Sequence, residues 1–306
     1  MVTVYLTDGF GNNLFQYVAG KLLASHHQLP LKIVPPSSTY YATPYLEELL
    51  NIKLSLPQNK EIAYGSNVAY PKDTHSTAVT DANYLDQFSA SPTNFKLGGH
   101  YENYRFYLPH LKTIRGWFTA VTTKHENTLA LHLRTSDRLF MANEFETKPS
   151  ARDYVCAVEQ FNLDNLHIIS DTHFWRRTTA EELTLLNEGK HTEKWETSSY
   201  NKAGKFIFPG KRVDPVDAAN YFNSIVDALA KYNPIFKKRT VLDDFNFLRS
   251  SKNILFEHGT LAWWAALLSD AEKVGVYGPW RPWKGAQNHK LSDTPVDNWF
   301  KWGDLN

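Results

Sequence analysis

Twice in this chain a short apolar run passes through a loop of small residues into a helix-spaced segment. At the start, Val2-Thr3-Val4-Tyr5-Leu6 leads through Gly9-Phe10-Gly11-Asn12-Asn13 into residues 14–25, where Leu14, Val18 and Leu22 share one face. Later, Asn253-Ile254-Leu255-Phe256 leads through Glu257-His258-Gly259-Thr260 into residues 261–268. A strand that runs into a helix regains its sheet by a crossover, so its neighbours are parallel. Further strands are expected at 31–34, 129–134, 166–169 and 273–277, and helices at 108–118, 152–160, 213–232 and 244–251. The polar, weakly periodic stretch 35–95 reads as mostly loop with short elements. The pattern predicts an α/β chain with mostly parallel sheets.

At about 150 residues per domain, 306 residues suggest two domains. The polar run Thr122-Thr123-Lys124-His125-Glu126-Asn127 marks the change between them. The expected division is 1–125 and 126–306, with a C-terminal tail that can pack back on the first domain. Lys and Arg number 33 against 32 Asp and Glu, which gives no charge signal for nucleic acid or an anionic membrane. The single cysteine, Cys156, excludes an intramolecular disulfide and a multi-thiolate zinc site. No apolar run of about 18 residues occurs, and Asp8 with two asparagines interrupts any leader-like start. A cytoplasmic protein without a membrane segment is expected. Six of the nine tryptophans lie from Trp263 onward, and core packing is the favoured reading for them.

Four constellations can carry chemistry. Gly9 and Gly11 let backbone approach a ligand at a helix start, where Asn12 adds a polar side chain. This is not a full dinucleotide fingerprint, since Leu14 stands where the third glycine belongs. His132-Leu133-Arg134-Thr135-Ser136-Asp137 ends a strand, and alternation puts His132 and Arg134 on one side. A guanidinium there can take two diphosphate oxygens. His258, Gly259 and Thr260 open a second helix start suited to a phosphate. Ser170, Asp171 and Asp244 offer acceptors for ribose hydroxyls or a guanine edge. No D-x-D, H-E-x-x-H, P-loop or G-x-S-x-G occurs, so metal-dependent hydrolysis, a P-loop and a serine hydrolase lack support.

Taken in order, these segments resemble the α-1,2-fucosyltransferases of glycosyltransferase family 11, and more distantly the α-1,6- and protein O-fucosyltransferases. Residues 7–20 (TDGFGNNLFQYVAG) are similar to G-G-L-G-N-Q-L-F-Q-Y-A. Residues 97–118 are similar to L-x-G-Y-x-Q-S-x-x-Y-F…I-R-x-x-F. His132, Arg134 and Asp137 match H-x-R-R-x-D, with Thr135 in place of the second arginine. Ile169-Ser170-Asp171 with Trp175, Asp244–Leu248 and Gly259–Trp264 match three further family segments. Departures are Asp8 at the first loop glycine, and His258 and Ala262 at polar positions of the last segment.

The resemblance implies a GT-B architecture of two Rossmann-like domains facing across a cleft. It implies a metal-independent, inverting transfer of L-fucose or a related 6-deoxyhexose from a GDP-sugar to a glycan hydroxyl, without a cofactor. By resemblance Arg134 holds the diphosphate with Gly259 and Thr260, and His132 and Asp244 meet guanosine. The Gly9–Asn13 loop approaches the sugar, and Asp8 is the candidate base for the acceptor hydroxyl. An oligosaccharide or polysaccharide acceptor and a bacterial or viral source follow. A GDP-rhamnose donor, a nucleotide-dependent oxidoreductase and a non-catalytic carbohydrate binder using the tryptophans are the competing readings.

Overall fold

A computed structural model describes residues 1–7, 9–35, 42–54, 76–91, 93–135, 148–170, 176–190, 207–208, 211–212, 215–257, 259–278 and 295–303. The described residues up to Ala120 form one compact unit, and those from Val121 form a second.

The first unit contains β1 (Val2–Tyr5), α1 (Phe10–His26), β2 (Leu31–Val34), α2 (Thr43–Leu50), β3 (Ser76–Val79), β4 (Asn94–Leu97) and α3 (Leu111–Arg115). Its sheet runs β2-β1-β4-β3 with every pairing parallel. Val2 and Val4 on β1 are fully buried, as are Leu14, Phe15 and Val18 on α1. The helix lies so close to its strand that a Cβ on Gly20 would sit 2.1 Å from Val4 Cγ2. Helix α1 begins at Phe10 rather than Leu14. The short elements expected within the loop-rich stretch 35–95 are α2 and β3, and β4 follows at its end, each strand four residues long with little alternation to mark it. The expected helix at 108–118 is a 3₁₀ turn over Leu108–His110 followed by the short α3.

The second unit contains β5 (His125–Leu133), α4 (Ala151–Val158), β6 (Asn165–Ser170), α5 (Ala180–Asn187), a small hairpin of β7 (Ile207–Phe208) and β8 (Lys211–Arg212), α6 (Pro215–Ala228), β9 (Ile235–Phe236), α7 (Val241–Ser250), β10 (Ser251–Phe256), α8 (Thr260–Leu267), β11 (Lys273–Tyr277) and β12 (Trp299–Trp302). Its large sheet runs β12-β11-β10-β5-β6-β9, all parallel. The chain starts in the middle at β5, steps outward through β6 and β9, then returns to the other side of β5 for β10, β11 and β12. That is the doubly wound strand order of a Rossmann-type sheet. Near the C-terminus, Trp299–Trp302 supplies an edge strand of this sheet.

Strand alternation sorts the side chains to two faces. Leu129, Leu131, Leu133, Leu166, Ile168 and Leu255 pack with Tyr154, Ala157 and Val158 of α4 and with Ala218, Phe222 and Ile225 of α6. The opposite face carries α7 and α8. Trp263, Trp264 and Trp302 are essentially inaccessible and Trp299 is 6% exposed, so these four are core residues and offer no surface to a sugar. Trp302 Nε1 donates to Phe256 O at 3.1 Å, which ties the last strand to the centre of the sheet. Among the described residues no helix is long and apolar enough to cross a membrane.

Candidate anion-binding site at the switch point of the second sheet

In a doubly wound sheet the loops leaving the two strands at the order reversal turn to opposite faces and leave a crevice beyond the strand ends. Here those strands are β5 and β10. The chain leaving β5 leads to α4 on one face, and the chain leaving β10 leads to α8 on the other. His132, Arg134, Gly259 and Thr260, singled out in two segments more than 120 residues apart, therefore meet at one crevice.

Gly259 has φ +118° and ψ 128°, a conformation that L side chains rarely adopt. It lies against the Arg134 and His132 side chains. A Cβ there would be 3.5 Å from Arg134 Nη1 and 3.7 Å from His132 Cε1. Trp263 N donates to Gly259 O at 3.1 Å, so α8 starts at Gly259, a residue with no side chain to cap it. The helix start and the guanidinium thus present positive potential side by side. His132 is 7% exposed. Burial first, and the charge of Arg134 second, push its pKa down to about 3. It is a neutral imidazole, and its Nδ1 has no partner among the described residues.

The strand ends are fixed from below by Glu257, which motif reading quoted without a role. It is 2% exposed, on the α4–α6 side. Its Oε1 accepts the Arg134 backbone N–H at 2.5 Å, and it takes a hydrogen bond from the Tyr154 hydroxyl. Tyr154 and Tyr221 bring their hydroxyls to 3.5 Å, and Tyr221 donates to Pro149 O at 2.9 Å. The negative charge of Glu257 helps hold both phenols neutral, adding to burial. Lys148, just before the Ser150/Asp153 capping box of α4, places Nζ 3.9 Å from the Tyr221 ring centre. Neither Glu257 nor Lys148 carries a sequence signal beyond its place beside a predicted strand end or helix cap.

Two further expected donor-site residues have side-chain partners of their own. Ser170 Oγ is 3.2 Å from Thr135 Oγ1, and Thr135 is fully buried, so this pair pins β6 to β5. Asp244 lies in α7 with Oδ1 3.6 Å from Arg239 Nη1. Arg239 in turn sits 4.2 Å over the Phe247 ring, which contacts the His125 and His167 rings. Burial raises the Asp244 pKa to about 7 against the pull of Arg239. Burial and neighbouring cations, Arg239 foremost, lower His167 to about 4. Asp8, Asp171 and His258 lie outside the described residues.

In the first unit, Gly9 caps α1 with an ordinary φ of −86°. Gly11 and Asn12 belong to the first helical turn rather than to a loop. Asn12 Nδ2 is 3.4 Å from His100 Nδ1. The early helix start has a specific cause. Gln16 accepts from Thr7 N at 3.0 Å and donates to Thr7 Oγ1 at 2.7 Å and Gly99 O at 3.0 Å. Asn13 donates to Thr7 O at 2.6 Å. Asn13, which looks loop-like, is thus a buried helix residue, and its amide with that of Gln16 binds the ends of β1 and β4.

Among the described residues no three His, Cys, Asp or Glu side chains come together as a metal set. No family model matches the chain. No curated protein matches it either. Solved structures similar to it include two of a fucosyltransferase. One is NodZ α-1,6-fucosyltransferase soaked with GDP-fucose, at TM-score 0.40 and 11% identity over 89% of this chain and 93% of that one. The other is the selenomethionine form of fucosyltransferase NodZ from Bradyrhizobium, at TM-score 0.37 and 10% identity over 92% and 96%. A superposition that loose carries no functional assignment.

Proposed function

We propose that the chain is a GT-B-class, metal-independent, inverting glycosyltransferase that moves L-fucose or a related 6-deoxyhexose from a GDP-sugar to a glycan hydroxyl. The observation that carries this reading is the crevice between β5 and β10. There a single guanidinium, Arg134, stands beside the glycine-capped start of α8, next to a neutral histidine. Such a set takes the oxygens of a diphosphate. The ordered resemblance of the motifs to fucosyltransferases supplies the sugar and the nucleotide.

In this reading the bond between sugar C1 and the diphosphate oxygen breaks while the acceptor oxygen bonds C1 from the other side. Arg134 and the α8 amides hold the charge that develops on the departing GDP. The acceptor proton passes to the Asp8 carboxylate. His132 donates or accepts one hydrogen bond from the nucleotide without adding charge.

Calorimetric titration with GDP, GDP-fucose, GDP-rhamnose, UDP and NAD, each with EDTA, tests it. Binding confined to the GDP ligands and weakened at least tenfold in Arg134→Ala is expected. Asp8→Asn is expected to keep GDP affinity and lose transfer. Binding of UDP or NAD instead, or GDP affinity indifferent to Arg134, overturns the reading.

A further inference from the structure

A nucleoside diphosphate leaves with more than one negative charge, and Arg134 supplies only one positive charge. The next residue, Thr135, carries no charge and is fully buried and bonded to Ser170. On the α4–α6 side, beyond the Glu257 network, stands a second cation, Lys148. It is exposed, and among the described residues Asp217 and Glu257 are the carboxylates whose charge acts on it, neither within ion-pair distance. Its stem is steered by the face of Tyr221, whose hydroxyl is anchored on Pro149 O, the carbonyl next to Lys148 itself. The same two tyrosines lead to Glu257, the carboxylate that holds the Arg134 backbone, and the charge of Glu257 reaches Lys148. One buried network therefore reaches both residues, fixing the Arg134 backbone through Glu257 and lying against Lys148 through Tyr221. Lys148 stands before α4 and Arg134 beside α8, the two helices whose divergence opens the crevice.

We propose that Lys148 is the second phosphate-binding cation of this site and that the Tyr221–Tyr154–Glu257 network sets its position relative to Arg134. The proposal rests on the GDP-sugar reading and deepens it, since it names where the remaining leaving-group charge is neutralised. Lysine fits this place as a compact charge on a flexible stem that can follow the phosphates as the sugar departs.

The test is calorimetry of the full chain with GDP, GMP and guanosine at several salt concentrations. Wild type is compared with Lys148→Met, Lys148→Gln and Lys148→Arg. Methionine keeps an apolar stem over the Tyr221 ring, and glutamine serves if that variant does not fold. Loss of the charge is expected to weaken GDP about tenfold and GMP less, and to leave guanosine unchanged. The dependence of GDP affinity on salt should flatten, and arginine should restore both properties. A merely structural lysine would lower guanosine and GDP affinity together. Equal affinity of Lys148→Met and wild type for GDP overturns the proposal while leaving the donor reading intact. Absence of GDP binding by wild type overturns both.

Discussion

The β1–α1 and β10–α8 junctions share one sequence grammar: a buried strand, a small-residue loop and a helix start. They are built from different physics. At β1–α1 the junction is held by neutral amides, with Asn13 and Gln16 buried and bonded to Thr7 and Gly99. Its glycine, Gly9, keeps a φ that any residue adopts. At β10–α8 the glycine is obligatory at φ +118° and the supporting group is a buried carboxylate, Glu257. A guanidinium lies against the loop. The first junction spends its polar groups on its own backbone. The second leaves a fixed positive charge at the mouth of a crevice. Glycine between strand and helix thus does not identify an anion site; the charge beside it does.

That contrast can be broken at either junction. The largest effect is expected at the amide-held one. Gln16→Met strips hydrogen bonds from three buried backbone and hydroxyl groups, and should lower stability by about 2–4 kcal/mol in urea denaturation. Next comes Gly259→Ala, at about 1–3 kcal/mol from backbone strain. Its Cβ meets only ordinary contacts, so no clash adds to this, and GDP affinity should fall with it. Gly9→Ala should cost less than either, about 1 kcal/mol at most.

A pH-dependent effect sharpens the electrostatic side. Asp244 has its folded pKa raised from 3.8 to about 7, so the folded state binds more protons than the unfolded state between those values. Stability from this group is full below about pH 4 and is lost as pH rises through about 7. Asp244→Asn removes that loss, so its stability relative to wild type should grow from pH 4 to pH 7. His132 and His167 act in the opposite sense. Their folded pKa values lie below 6.5, so they destabilise the fold as pH falls below that value in both proteins. A stability difference that stays flat across this pH range would show that Asp244 is ionised in the fold.

The sequence made the crevice legible because its main parts are local. His132 and Arg134 share a side of one strand, and Gly259 and Thr260 sit at one helix start. Glu257 and Lys148 were not legible, because their roles depend on partners distant in the chain. Glu257 meets Arg134 across 123 residues, and Lys148 meets Tyr221 across the α4–α6 contact. Polar burial misled in the other direction. Asn13 looks like a loop residue until the Thr7 carbonyl it binds is known, which is why the sequence places the start of α1 too late. Asp244, the expected guanosine contact, also pairs with Arg239, five positions earlier on the approach to the same helix, a partner that its motif does not announce. Strands β3 and β4 escaped because four residues of mixed polarity carry almost no period.

The doubly wound order also fixes a schedule. Strand β5, at the middle of the second sheet, leaves the ribosome early in that unit, but its neighbour β10 follows only after residue 250. Until then the Arg134 amide lacks Glu257, α8 does not exist and β5 is an exposed edge. Synthesis proceeds at about 5–20 residues per second, so that edge waits several seconds for its cover. A chain stopped short of Ser251 would carry the arginine with no crevice around it, so the site exists only once β10 and α8 have joined β5.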